Sequence, residues 1–220
     1  EDEMIYLDNA ATSFHKPDCV PCAVVEAMQH AGNSGRGSSS EAMAASRLIF
    51  NTRCQIAEMF DVWGPECVAF TSNDTEALNI ALQGTLHPEE ETIHAICTEM
   101  DHNSVLRPLY RLEKKGMELT ILPADRKGRI SLTELEAAIR PETKVIVCTH
   151  ASNLTGNLND IHAIGEIAQK HQKLFIVDAA QTAGVFPISM KKDHIDILCF
   201  SGHKGLMGPQ GTGAICVRPG

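Results

Sequence analysis

A lysine set in Ser201-Gly202-His203-Lys204-Gly205, directly after an apolar run, is not placed like an ordinary solvated lysine. Where burial disfavours its charged form, such an amine becomes a nucleophile able to form a Schiff base with an aldehyde. Another apolar run ends on a carboxylate, Asp178, which needs a positive partner or several donors if it is buried. The stretch Thr71-Ser72-Asn73-Asp74-Thr75-Glu76 leads into helical periodicity, where free N–H groups and the helix dipole favour an anion. Asn73 is expected there in the left-handed turn that makes an anion nest. His102, in Glu99-Met100-Asp101-His102-Asn103, adds an aromatic ring. Taken singly, each group has a plainer reading. Thr71–Thr75 is then an N-cap, Asp178 the cap of the next segment, His102 a surface histidine and Lys204 a loop lysine.

The elements that must position these groups follow from alternation. Short runs rich in Val, Ile and Leu predict strands at Glu66–Phe70, Ile93–Thr98, Glu118–Leu122, Lys144–Thr149, Lys173–Asp178, Ile195–Ser201 and Thr212–Val217. Helical periodicity lies between them at Thr75–Leu86, Ser104–Lys115, Leu132–Ile139 and Ile161–His171. Two more helices, Val20–Ala31 and Glu41–Phe60, precede the first strand. Ser131 and Glu134 stand at capping-box spacing. Strand alternating with helix predicts an α/β domain with a mainly parallel sheet. The segment Gly202–Gly211 holds four glycines and a proline, so it cannot supply a packing helix for a parallel crossover. The seventh strand is therefore expected to run antiparallel to the sixth, in a seven-stranded mixed sheet.

On that sheet the polar clusters all follow the carboxyl ends of strands, the edge where open α/β sheets bind ligands. The clusters include His150-Ala151-Ser152-Asn153 and Asp178-Ala179-Ala180-Gln181. A lysine, a carboxylate, an anion site and an aromatic ring at one edge are what pyridoxal 5′-phosphate (PLP) requires. A metal centre is the weaker reading, since neither a His-Glu-x-x-His motif nor paired Cys-x-x-Cys motifs occur.

Composition narrows the partners. The 220 residues are 43% hydrophobic and 21% charged, as in an ordinary globular chain. Nineteen Lys and Arg stand against 28 Asp and Glu, a net charge of −9 that argues against nucleic acid and anionic membranes. No apolar run reaches membrane-spanning length and no signal peptide is apparent, so a cytoplasmic location is expected. Cys54, Cys67, Cys97, Cys148, Cys199 and Cys216 fall in apolar or helical runs, as free thiols in a core would. Cys19-Val20-Pro21-Cys22 reads as a helix start more than as a redox motif.

The motifs together resemble the class V aminotransferase family of fold-type I PLP enzymes, and within it the cysteine desulfurases and selenocysteine lyases. The residues that carry this are Tyr6-Leu7-Asp8-Asn9-Ala10-Ala11-Thr12, Phe70 through Asn79, and Glu99 through Asn103. They continue with Ser152-Asn153 before Thr155-Gly156, Asp178 through Gln181, and Ser201 through Gly205 before Gly208-Pro209. The likeness runs from about Met4 to Gly220. It implies Lys204 as the Schiff-base lysine and α-proton base, Asp178 as partner of the pyridine nitrogen, and His102 stacked on the ring. It implies Gln181 as donor to the phenolic oxygen, with Asn153 beside that oxygen and the substrate carboxylate. Thr75, Ser201 and His203, helped by the backbone at Asp74, would hold the phosphate, and Asn9-Ala10-Ala11 would lie at the substrate entrance.

The resemblance further implies residues 1–62 as an N-terminal helical segment and entrance arm, and 63–220 as the large PLP-binding domain. The implied activity is removal of sulfur from L-cysteine, giving L-alanine and an enzyme persulfide. Selenocysteine lyase, another class V transaminase or lyase, and a non-catalytic PLP-fold scaffold are the alternatives. A homodimer whose second subunit supplies a phosphate ligand is implied, and a sulfur-acceptor protein as a partner. A small C-terminal domain with the nucleophilic cysteine and a carboxylate-binding arginine would follow residue 220. Two departures stand out: many relatives have Gly where this chain has Asn73, and Ala or Thr where it has Asp74. A carboxylate at Asp74 would repel a phosphate unless it points away.

Overall fold

The computed structural model describes residues 5–35, 37–89 and 91–220; Met4, where the resemblance begins, lies outside the described residues. The apolar runs form one sheet. Its strands are β1 Val68–Thr71, β2 His94–Thr98, β3 Glu118–Leu122, β4 Thr143–Thr149, β5 Leu174–Asp178, β6 Ile197–Ser201 and β7 Gly213–Val217. They lie in the order β1-β7-β6-β5-β4-β2-β3. β7 is antiparallel to both its neighbours, and the remaining pairs are parallel. The reversal has the cause expected from sequence. The glycine-rich segment after β6 makes turns and no helix, so the chain folds straight back into β7.

The helices are α1 Cys19–His30, α2 Ser40–Met59, α3 Asp74–Thr85, α4 Asn103–Glu113, α5 Leu132–Ala138 and α6 Ile161–Lys170. Side-chain oxygens cap several of them: Ser39 for α2, Asn73 for α3, Ser131 for α5 and Asp160 for α6. One boundary is corrected. The first strand was expected from Glu66, but Glu66 and Cys67 lie in a tight 3-10 turn opened by Pro65. Proline has no N–H for a ladder, and its fixed φ suits the first position of a helical turn.

Two apolar cores cover the two faces of the sheet. Phe175 and Val177 point into one, with Phe60, Phe200 and Ile164, while Ile176 points into the other, with Leu78 and Leu109. This is the period-two alternation of a strand buried on both sides. Each such side chain contributes about 1.5–3 kcal/mol when fully buried. Cys97, Cys148, Cys199 and Cys216 sit in these cores, whereas Cys54 and Cys67 are only half-buried. Cys54 lies on α2, which buries only Ala42, Ala45 and Ala57, and Cys67 closes the 3-10 turn at the sheet edge. α1 opens at Cys19, with Cys19 and Cys22 exposed on its first turn. Among the described residues no helix is long and apolar enough to cross a membrane.

Candidate active site

The carboxyl ends of β4, β5 and β6 and the starts of α3 and α4 converge on an open cleft of about 420 Å³. Ser201, His203 and Lys204 reach it from the end of β6 and the loop after it, and Asp178 and Gln181 from the end of β5. Asp74 and Thr75 come from the first turn of α3, His102 from the residue capping α4, and Asn153 from the loop after β4. All nine site residues read from the sequence therefore line one cleft. Of the entrance residues, Ala10 and Ala11 line it; the Asn9 side chain instead accepts from the Phe14 N–H at 3.3 Å.

Burial differs sharply among these groups. Asp178 and Asp74 are 2% and 5% exposed, while Lys204 is half-buried and His102 and Asn153 are exposed. Burial pushes the Asp178 carboxyl up, opposed by the Ala180 N–H, the Asp74 carboxyl, Lys204 and His102. The Ala180 N–H donates to Asp178 Oδ1 at 2.9 Å. Asp74 is raised well above the ordinary carboxylate range, first by burial and then by the charge of Asp178. Its side chain thus turns inward to the sheet, not outward at the helix start. Its N–H donates to Ser201 Oγ at 3.1 Å, which leaves the Ser201 hydroxyl proton free for a ligand.

Asn73 is extended, at φ −173°, and not in the left-handed turn expected of it. The reason is its capping duty: Asn73 Oδ1 accepts from the Glu76 N–H at 2.8 Å, which extended backbone permits. The Gln181 amide donates to the Ala10 carbonyl at 2.9 Å and keeps its second N–H. His203 Nδ1 lies 3.0 Å from Thr12 Oγ1, leaving Nε2 uncommitted, and burial with Lys204 and Lys16 nearby lowers its pKa. His102 Nδ1 accepts from the Ser104 N–H at 3.2 Å, which fixes the ring at the head of α4.

The donor set fits PLP. The cleft has an amine at one side, buried carboxyls beneath it, and hydroxyls at a helix start. Asp74 Oδ1 is buried with no hydrogen-bond partner among the described residues. A sequence family described as Aminotransferase class-V matches residues 5–220. The chain belongs to the class V aminotransferase family. It is 37% identical over 218 residues to the cysteine desulfurase IscS of Vibrio atlanticus, covering 97% of this chain and 53% of that protein. The apo cysteine desulfurase of Thermococcus onnurineus superposes with a TM-score of 0.89 at 34% identity, covering 97% of this chain and 53% of that one. A structure described as SspA in complex with cysteine gives 0.88 at 32% identity, covering 96% and 60%. The chain spans about half the length of the curated class V relatives it matches.

Other residues shape the cleft without having been read from the sequence. Asp101, just before His102, accepts at Oδ2 from the Thr98 N–H and hydroxyl at 2.7 and 2.9 Å, and at Oδ1 from the Thr149 N–H at 2.5 Å. It thereby ties together the ends of β2 and β4. Burial raises its pKa to about 7 against these bonds. Thr12 and Ser13 both donate to the His203 carbonyl, at 3.1 and 3.0 Å, and clamp the N-terminal arm over the lysine loop. A carboxylate three residues after an apolar run was the one local signal for Asp101; the clamp has none, because its partners lie 190 residues apart.

Proposed function

We propose that this chain is the PLP-binding part of a cysteine desulfurase, and that its cleft takes L-cysteine. The observation that carries the reading is the convergence of Lys204, Asp178, His102, Gln181 and Thr75 on one sheet edge. Relatives at 37% identity are named cysteine desulfurases, and one similar structure is described as holding cysteine. When bound, PLP supplies an electron sink that makes bonds at the substrate α-carbon labile.

The chain's own residues do the rest. Lys204 would hold the cofactor aldehyde, and its amine would be the group that moves the substrate α-proton. Asp178, which accepts from the Ala180 N–H at 2.9 Å, would partner the ring nitrogen and favour its protonated form. His102 covers the ring face. The free N–H of Gln181 donates to the phenolic oxygen, with Asn153 beside it near the substrate carboxylate. Thr75, the Ser201 hydroxyl proton and His203 Nε2 hold the phosphate at the head of α3, where the helix dipole adds to them. The Asp74 N–H helps through Ser201, not by pointing at the phosphate itself.

In the overall reaction the Cβ–S bond of cysteine breaks, sulfur joins a thiolate as a persulfide, and the carbon skeleton takes a proton and leaves as alanine. No cysteine lines the cleft among the described residues. The accepting thiol is therefore proposed to come from outside the lining, by closure of another segment or from a partner. Residues 1–62 act in this reading as entrance arm and helical cover, 63–220 as the cofactor-binding unit, in a homodimeric enzyme that hands sulfur to an acceptor protein.

The test combines borohydride reduction of the intact, PLP-loaded protein with peptide mapping and a sulfide and alanine assay on L-cysteine. The label is expected on Lys204, with alanine and sulfide formed in equal amounts when excess dithiol is supplied to reduce the persulfide to sulfide. A label on another lysine, such as Lys144 or Lys191, or no alanine from cysteine, would overturn the reading.

A further inference from the structure

We propose that Cys19 and Cys22 form a redox-active dithiol that exchanges with small-molecule disulfides. The pair lies outside the cleft, and its chemistry needs no PLP.

The stretch Cys19-Val20-Pro21-Cys22 begins a helix, as its sequence suggests, and α1 thereby sets both thiols on its first turn. Residues three apart on an α-helix share a face, with Cα atoms about 5 Å apart. Disulfides span Cα separations of roughly 4.4–6.8 Å, so the two cysteines are within bridging range with no element displaced. The backbone fixes that turn. The Val20 N–H donates to the Pro17 carbonyl at 2.9 Å and the Cys22 N–H to the Asp18 carbonyl at 3.3 Å. Pro21 locks its own φ and leaves no N–H to satisfy. Both thiols are free and exposed, whereas four of the other six are buried and Cys54 and Cys67 are half-buried.

Two plainer roles fit less well. A metal site needs further ligands, and among the described residues no group of three or more His, Cys, Asp or Glu is placed to hold an ion. A permanent staple needs Cβ atoms about 3.8 Å apart, whereas side chains at this helical spacing hold theirs about 5–6 Å apart. The turn must therefore tighten for the bond to form. It can do so, because it ends the helix and α1 buries none of its residues. A bond made in this way, in the open, is easily broken again, which is the property of an exchanging pair.

The chemistry is two successive exchanges. One thiolate of the pair attacks a sulfur of the disulfide RS–SR, forming a mixed disulfide and releasing the first RS−. The other cysteine attacks the protein sulfur of that mixed disulfide, the second RS− leaves, and the Cys19–Cys22 bond closes. The two thiol protons end on the two leaving groups. The pair loses two electrons, and RS–SR becomes two RSH. The second attack is intramolecular, across one helical turn, so the mixed disulfide does not accumulate. The pair also belongs to the arm that is bonded to the lysine loop through Ser13. Cys19 follows Ser13 by six residues, a reach of at most about 22 Å.

The test equilibrates the intact protein, without added PLP, in glutathione buffers of stepped reduced-to-oxidised ratio, followed by acid quenching and alkylation. The tryptic peptide ending at Arg36 carries Cys19 and Cys22 and no other cysteine, so its mass reads the pair alone. It is expected to lose two hydrogens as the buffer becomes oxidising and to regain them when reduced glutathione is restored. Cys19→Ser and Cys22→Ser are each expected to hold at least about tenfold more mixed disulfide with glutathione than the parent. Three results would overturn the proposal: a peptide that stays reduced across the series, a bond that reduced glutathione does not reopen, or a parent that holds as much mixed disulfide as the single variants. None of these readouts involves PLP, so failure of the dithiol and failure of the desulfurase reading are told apart.

Discussion

The His203 carbonyl accepts from the Ser13 N–H at 3.1 Å and from the Ser13 hydroxyl at 3.0 Å. One residue of the N-terminal arm is thus bonded twice to the residue beside Lys204. Ser13 is itself buried, and Lys16 Nζ donates back to its hydroxyl at 2.9 Å. The arm is a cover fixed to the lysine loop, not a loose terminus.

Ser13→Ala removes one of those bonds and leaves the N–H bond in place. A loss of about 0.5–1.5 kcal/mol is expected. The local effect should exceed the global one. Limited proteolysis is expected to cut faster within 5–16 while the midpoint of chemical unfolding moves little. Unchanged cleavage rates would mean that the backbone bond alone holds the arm.

Asp101 makes a pH-dependent prediction. Its folded pKa of about 7 lies above the ordinary aspartate value, because burial outweighs the N–H bonds from Thr98 and Thr149. Between about 4 and about 7 the folded chain holds a proton that the unfolded chain has lost. Stability from this group is therefore full at the acid end of that window and falls as pH rises through it. Asp101→Asn should flatten the slope there. It should also cost about 1–3 kcal/mol at neutral pH, since an amide cannot accept from both strand ends as a carboxylate does. Unfolding midpoints measured across pH for parent and variant decide it; parallel curves would refute the assignment.

Much of this was legible in the sequence because its causes are local. Continuous apolar runs such as Val145–Thr149 mark strands covered on both faces, and the clusters after them mark the ligand edge. The reversal of β7 followed from glycine spacing alone. The rest depends on what one element presents to another. At Gly213 a Cβ would lie 2.8 Å from the Asn73 carbonyl carbon, so β7 lets the head of α3 sit directly on the sheet. That approach gives Asn73 its extended cap and delivers Asp74 to Asp178. Nothing at positions 73 and 74 announces it, and residue-by-residue reading put Asn73 in a turn. The same holds for the Ser13–His203 clamp, whose partners have no common sequence signal.

The thiols should divide by reactivity. Burial raises the thiols of Cys97, Cys148, Cys199 and Cys216, the last to about 12, so almost none is thiolate at neutral pH. Cys19 and Cys22 are exposed. Alkylation of the native protein is expected to show a fast phase lost in the Cys19→Ser, Cys22→Ser double variant, and a slow phase that appears only on unfolding. Fast labelling of Cys148 or Cys199 would show that the sheet core opens.

Gly205 tests the packing that holds Lys204 in place. A Cβ built there would lie 2.5 Å from the Ala183 carbonyl oxygen and 2.5 Å from Val185 Cγ2. The valine methyl could rotate aside, but the carbonyl belongs to backbone fixed at the end of β5, where the Ala183 N–H bonds the Ala179 carbonyl at 2.9 Å. The lysine loop must therefore move outward, since the β5 side cannot. Gly205→Ala is expected to cost about 1–3 kcal/mol in unfolding free energy, the usual range for an overpacked site. The larger consequence is positional. Lys204 precedes the displaced residue, so its amine shifts relative to Asp178 while the sheet below stays intact. Borohydride trapping of PLP at Lys204 should slow by more than the stability loss explains, with far-ultraviolet circular dichroism unchanged. Trapping at the parent rate in a variant of normal stability would show that the loop has slack that its close contacts with Ala183 and Val185 do not suggest.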